Sequence, residues 1–146
     1  MSSARRVLAV DVGGRRVGLA ISDPSGTLAR PLETLQVRDP ADAVDRVAQR
    51  IDAIAAEDDG LATVVVGVPS HLDGRASEGS AGAMAFVASL RERIDVPIVT
   101  EDERLTSREA ESRLALNERD WRRRKEKLDA AAAAVFLQDY LDRTAT

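Results

Sequence analysis

The sequence predicts an α/β fold: a mixed five-stranded sheet, three antiparallel strands followed by two parallel ones, flanked by helices. Three observations lead there. Near the start, two turn signals, Gly13-Gly14 and Asp23-Pro24-Ser25-Gly26, separate three apolar segments, and connections this short imply antiparallel neighbours. Further on, Thr63 to Val68 is an unbroken β-branched run ended by Pro69, the pattern of a parallel strand covered on both faces. Between and after these strands, apolar residues recur at helical spacing.

The first strand is Val7 to Val12, the second Val17 to Ser22, and the third Leu28 to Val37, interrupted by Pro31. Asp39 is a candidate N-cap with Pro40 at the first helical position, and Val44, Val47, Ala48, Ile51, Ile54 and Ala55 continue the helical pattern until Asp59-Gly60. After the strand Thr63 to Val68, SHLDGRASEG reads as loop, and Ala83, Phe86, Val87 and Leu90 mark a second amphipathic helix. Val96 to Thr100 makes the fifth strand. Thr106 with Glu109 forms a capping box for a third helix to about Leu116, and the basic segment NERDWRRRKEK leads into an Ala-rich helix from Leu128 to Asp142.

The chain has 146 residues, a single-domain length, and neither a repeat nor a linker divides residues 1–146. Hydrophobic residues are 44% and charged residues 32%, a globular balance, and no apolar run approaches the ~20 residues that span a bilayer. The opening MSSARR passes straight into a strand-like segment without the apolar stretch of a signal peptide, so a cytoplasmic location is expected. No cysteine is present, which excludes disulfides and thiolate zinc sites. The net charge of -4 is not the footprint of a generally basic nucleic-acid binder, although two bound divalent cations would bring the total to about zero.

The acids carry the functional signal. Asp11 stands inside an apolar strand between Val10 and Val12, where packing strips hydration and an ionised carboxylate needs a positive neighbour. Glu101-Asp102-Glu103 follows the fifth strand, with Arg104 at the same edge, and ligands of such sheets gather outside the carboxyl ends of the strands. Adjacent extended side chains point to opposite faces, so only one of Asp102 and Glu103 looks inward; Glu103 is the expected one, with Asp102 auxiliary. Asp129 opens the last helix and precedes five alanines small enough to let that helix approach the sheet closely. Alone it reads as an ordinary acid at a helix N-terminus. With Asp11 and Glu103 it completes a carboxylate trio that stays ionised only around divalent metal. Oxygen-only ligands suit Mg²⁺ or Mn²⁺ and two-metal phosphodiester chemistry.

These residues resemble the YqgF/RuvX group of RNase H-like nucleases, also called Holliday-junction-resolvase-like proteins. The resemblance spans almost the whole chain and rests on ordered motifs: Asp11-Val12-Gly13-Gly14-Arg15-Arg16-Val17-Gly18, Ser22-Asp23-Pro24, Val66-Gly67-Val68-Pro69 with Asp73-Gly74, Asp102-Glu103-Arg104-Leu105-Thr106, and Asp129 with its alanines and Leu137-Gln138-Asp139-Tyr140-Leu141. It implies an RNase H-like domain, Asp11, Glu103 and Asp129 as metal-holding catalytic acids, and processing of the 5′ end of precursor 16S rRNA. Cleavage of four-way DNA junctions is the other activity it implies, and a junction resolvase would require two sites and so a homodimer. The chain departs from the pattern at Ser70, His71 and Gly14, which bears on substrate preference and leaves the acids intact.

Other features carry two readings each. Gly13 and Gly14 serve either a hairpin with positive φ or close phosphate approach; an actin-like ATPase start would need a second lobe that 146 residues do not supply. Arg122-Arg123-Arg124-Lys125 is either a solvated charge run or, just ahead of Asp129, a phosphate contact. Arg15, Arg16 and Arg104 are further candidates for holding phosphate, with Arg123, Arg124 and Lys125. Trp121 reads as a packing anchor, and His71 as a surface histidine or an auxiliary acid. With aromatics at 3%, recognition should rest on backbone and shape, as for structured RNA or branched DNA. The competing class is an assembly factor that holds nucleic acid without cutting it.

Overall fold

The computed structural model describes residues 4–68, 78–102 and 121–145, with backbone alone at 78–80, 102 and 121–128. The described elements run β1 (Val7–Val12), β2 (Arg16–Ser22), β3 (Ala29–Gln36), α1 (Pro40–Ala55), β4 (Thr63–Val68), α2 (Glu78–Arg91), β5 (Ile98–Asp102) and α3 (Trp121–Thr144). The strands form one mixed sheet in the order β3-β2-β1-β4-β5. β1 pairs antiparallel with β2 and parallel with β4, β2 pairs antiparallel with β3, and β4 pairs parallel with β5. This is the expected mixed sheet.

Alternation sorts the strand residues onto two faces. Leu8, Val10, Val17, Leu19, Ile21, Val64 and Val66 pack under α1 and α2, where Val47, Ile51, Phe86, Val87 and Leu90 close the larger core. Val7, Ala9, Ala20 and Val65 face the other way and meet Ala133, Phe136, Leu137 and Leu141 of α3. Val64, Val65 and Val66 are fully buried because β4 is covered on both faces. Ala9 and Ala20 under the alanines of α3 let that helix lie close to the sheet.

Local chemistry fixes the ends of the elements. Asp39 caps α1 by accepting from the Asp42 amide at 2.8 Å, Pro40 follows it, and the Asp42 carboxylate accepts in turn from the Arg38 amide at 2.9 Å. The last turn of α1 has no basic residue of its own. Arg6, buried at the entrance to β1, donates instead to the carbonyls of Ile54 (3.1 Å) and Gly60 (2.8 Å) and pairs with Glu57 at 3.1 Å. Pro31 sits on the edge strand where β3 bulges opposite Leu19 and Ala20, so its missing donor removes no central ladder bond.

The turn between β2 and β3 is built on Asp23, whose carboxylate accepts from Ser25 Oγ (2.6 Å), Thr27 N (2.8 Å) and Leu28 N (2.9 Å), with Gly26 at φ +73. The hydrogen bond from Ser25, then those from the Leu28 and Thr27 amides, lower its pKa from 3.8 to about 2. The folded pKa lies below the unfolded one, so this turn contributes full stability above pH 3.8 and loses it as pH falls toward 2. Thermal melts of wild type and Asp23→Ala should therefore differ by a constant amount from neutral pH down to about pH 5, and the gap should close across that acid window. A gap independent of pH would show that the ionised carboxylate is not what holds the turn.

Beyond shifts of one or two residues at the ends of β2, β3 and the last helix, three boundaries differ from the sequence reading. β5 begins at Ile98 rather than Val96 and runs on to Asp102; the Pro97 carbonyl already accepts from Val64 N at 2.9 Å, but Pro97 has no amide to give the ladder. α1 ends at Ala55, with 56–59 forming a turn before Gly60, which has φ +62. The largest difference is α3, which starts at Trp121 and not at Leu128, so the basic segment is helical. Arg, Lys, Glu and Leu are all good helix formers and nothing between 121 and 128 breaks the helix. The expected helix after Thr106 lies outside the described residues.

Candidate active site around Asp11

Asp11 lies near the end of β1 on the face covered by α3, in the alternation begun by Val7 and Ala9. Its partner across β2 is Gly18 and its partner across β4 is Gly67, so neither strand presents a side chain directly opposite it. The same row continues outward to Thr34 on β3 and Glu101 on β5. Two glycines thus clear the space on both sides of one half-buried carboxylate.

One of those spaces is taken by α3. A Cβ added to Gly18 would stand 2.2 Å from the backbone oxygen of Asp129, 2.5 Å from its carbonyl carbon and 3.0 Å from the amide nitrogen of Ala130. Only glycine permits this approach, and the approach brings Asp129 over the strand position paired with Asp11. Asp129 lies eight residues inside α3, beyond the first turn in which the helix dipole acts, so the capping explanation for this acid does not hold.

The third member of the local group is Arg16, the first residue of β2. Its Nε donates to Asp129 Oδ2 at 3.0 Å, and the two side chains are 23% and 31% exposed. The Arg16 carbonyl accepts from Gly13 N at 2.8 Å, which closes the hairpin and fixes the backbone beneath the guanidinium. Gly13, Gly14, Arg15, Arg16, Gln36 and Asp129 together line a cleft of about 570 Å³. Arg15 is exposed at its mouth, and its carbonyl accepts from Val37 N at 2.9 Å.

The two hairpin glycines behave differently from the expected positive-φ turn: neither has positive φ. Gly13 is needed for space, since its Cβ would fall 2.8 Å from the Arg16 oxygen; a Cβ on Gly14 would meet nothing within 4 Å. The hairpin therefore closes around Gly14 and Arg15, between Gly13 and Arg16, without a left-handed residue.

Glu101 occupies the Asp11 row, but its carboxylate accepts from Arg143 Nη2 at 3.2 Å, and Arg143 Nε also pairs with Asp139 at 3.1 Å. These contacts with Glu101 and Asp139 raise the Arg143 pKa. They tie the end of α3 to β5. Glu103, Arg104 and His71 lie outside the described residues, and Asp102, Arg123, Arg124 and Lys125 are described by backbone only. Among the described residues, no three Asp, Glu or His side chains form a metal-holding group. The sequence reading brought Asp11, Asp129 and Arg16 to one place; it assigned no role to Gly18, Gly67 or Gln36, although a glycine inside an apolar strand is itself a sign of close backbone approach.

The sequence profile of the RuvX family, described as Holliday junction resolvase, matches residues 5–143. The chain belongs to the RuvX family. A relative from Clavibacter michiganensis subsp. michiganensis, named as a candidate pre-16S rRNA nuclease, is 42% identical over 135 residues, covering 92% of this chain and 81% of its own. One of the same name from Roseiflexus is 37% identical over 141 residues, 97% of this chain and 96% of its own. Among solved structures, RuvC from T. thermophilus in complex with a Holliday junction substrate superposes with a TM-score of 0.53 at 17% identity, covering 97% of this chain and 96% of that one. The shared architecture is the RNase H-like fold.

Proposed function

We propose that this RuvX-family chain is a metal-dependent endonuclease that hydrolyses phosphodiesters in structured nucleic acid, acting on the 5′ end of precursor 16S rRNA. The observation that carries the reading is the passage of Asp129 over Gly18, opposite Asp11, which sets two acids from distant parts of the chain at one sheet end. Asp11 and Asp129, with Glu103, form an all-oxygen donor set suited to Mg²⁺ or Mn²⁺. A divalent ion held there supplies an activated water and charge neutralisation at the leaving oxygen. The chain's own residues bind and orient the substrate. Arg15 and Arg16 line the cleft beside Asp129 and hold phosphates, and Arg104, outside the described residues, is assigned to the same role from the sequence.

The basic run supports the same reading. Arg122 to Lys125 occupy the first turns of α3, about 6 to 10 Å along the helix from Asp129 at 1.5 Å per residue. Cations there oppose the helix dipole, at a cost of about 0.3–1 kcal/mol each, and no acid offsets them in the first turn. Arg123, Arg124 and Lys125 are accordingly assigned to phosphate contacts that outweigh this cost.

The names of the relatives favour precursor rRNA as substrate; the description of the family favours a four-way DNA junction, which would be cut by a homodimer with two sites. Among the described residues no helix is long and apolar enough to cross a membrane; the rRNA-processing names of the relatives support a cytoplasmic site of action. Purified protein should cut a precursor 16S rRNA 5′ segment with Mg²⁺ or Mn²⁺ and stop when the metal is chelated. Cleavage of a four-way junction alone would move the assignment to resolvase, and tight binding with no cleavage of either would make the chain an assembly factor.

A further inference from the structure

We propose that Arg16 is a resident counter-ion of Asp129 that a divalent cation must displace, so that Arg16 sets the metal affinity of the site. The inference rests on the reading of Asp129 as a metal-holding acid. Arg16 Nε lies 3.0 Å from Asp129 Oδ2, and with only 23% and 31% of the two side chains exposed the pair is screened less than a surface ion pair. A metal that takes Asp129 through Oδ2 must compete with the guanidinium for that oxygen, and a doubly charged ion on either oxygen repels the cation beside it.

Both backbones beneath the pair are fixed. The Arg16 carbonyl is held by Gly13 N at 2.8 Å, and the Asp129 backbone is held against Gly18. The exchange therefore needs only side-chain rotation, and the cleft bounded by Gly13, Gly14, Arg15 and Gln36 gives the freed guanidinium somewhere to go. That is where a substrate phosphate would enter beside Arg15. Metal arrival and the release of a phosphate-binding arginine become one event.

Mn²⁺ binding measured by calorimetry on the full chain, without nucleic acid, tests this directly in wild type, Arg16→Gln, Arg16→Lys and Asp129→Asn. Arg16→Gln should bind Mn²⁺ about tenfold more tightly than wild type, Arg16→Lys should fall between them, and Asp129→Asn should lose the binding. If Arg16→Gln does not fold, the gain in Arg16→Lys alone decides, because lysine keeps the charge but lacks the Nε donor. Asp129-dependent binding that is equal or weaker in the Arg16 variants would overturn the counter-ion role while leaving the metal site standing. Absence of Asp129-dependent binding in wild type and in both Arg16 variants would overturn the metal reading and this inference together.

Discussion

Asp11→Asn should lower the rate of nucleic-acid cleavage by on the order of 10³-fold, about 4 kcal/mol of lost transition-state stabilisation, while leaving substrate binding nearly intact. The substitution keeps the shape of the side chain and removes one negative charge from a half-buried position. Asp11 is at the end of a strand held on both sides, by β2 through Val12↔Val17 and by β4 through Val10↔Val66, so the backbone has no reason to move. The change should therefore fall on turnover and on metal uptake, with the circular dichroism spectrum and the melting temperature close to those of wild type. Retention of more than about a tenth of wild-type turnover by a folded Asp11→Asn protein would remove this residue from the catalytic set.

How far the sequence already carried the site depends on which link is asked about. Periodicity located α2 well, because Ala83, Phe86, Val87 and Leu90 all face the core, whereas Met84 between them is exposed. The same holds for Val64 to Val66, whose burial on both faces follows from an uninterrupted β-branched run. Asp11 was legible for the opposite reason: a lone carboxylate in an apolar strand violates the pattern around it.

The start of α3 was not legible, because a run of arginines and lysines satisfies helix propensity without giving an amphipathic signature, and the charge run reads equally as linker. That boundary matters for function. Moving it from Leu128 to Trp121 takes Asp129 out of the capping position and turns the basic segment into part of the same rigid element as the acid. The ion pair of Arg16 with Asp129 joins residues 113 positions apart, a tertiary fact that no local spacing encodes.

Gly18→Ala tests the packing on which the site depends. The added methyl would lie 2.2 Å from the Asp129 oxygen, whereas ordinary contact begins near 3.4 Å, so either α3 or β2 must yield by about 1 Å. β2 is an inner strand, paired on both sides along its length, and α3 is the element with freedom to lift. Lifting it loosens the layer of Ala9, Ala20, Val65, Ala133, Phe136 and Leu137, at a cost of about 1–3 kcal/mol and a fall in Tm of roughly 3–10 °C for a chain of this size. The same movement carries Asp129 away from Asp11. A misplacement of about 1 Å in a catalytic constellation can cost about 10²-fold in rate, so activity should fall far more than the fraction of folded protein does. A second substitution separates the two effects: Ala20→Gly, on the same strand and under the same helix but one side-chain row away from the acids and with no added atom to push on α3, should destabilise the layer and spare turnover per folded molecule. Equal turnover per folded molecule in Gly18→Ala and Ala20→Gly would mean that the close approach at Gly18 serves packing alone.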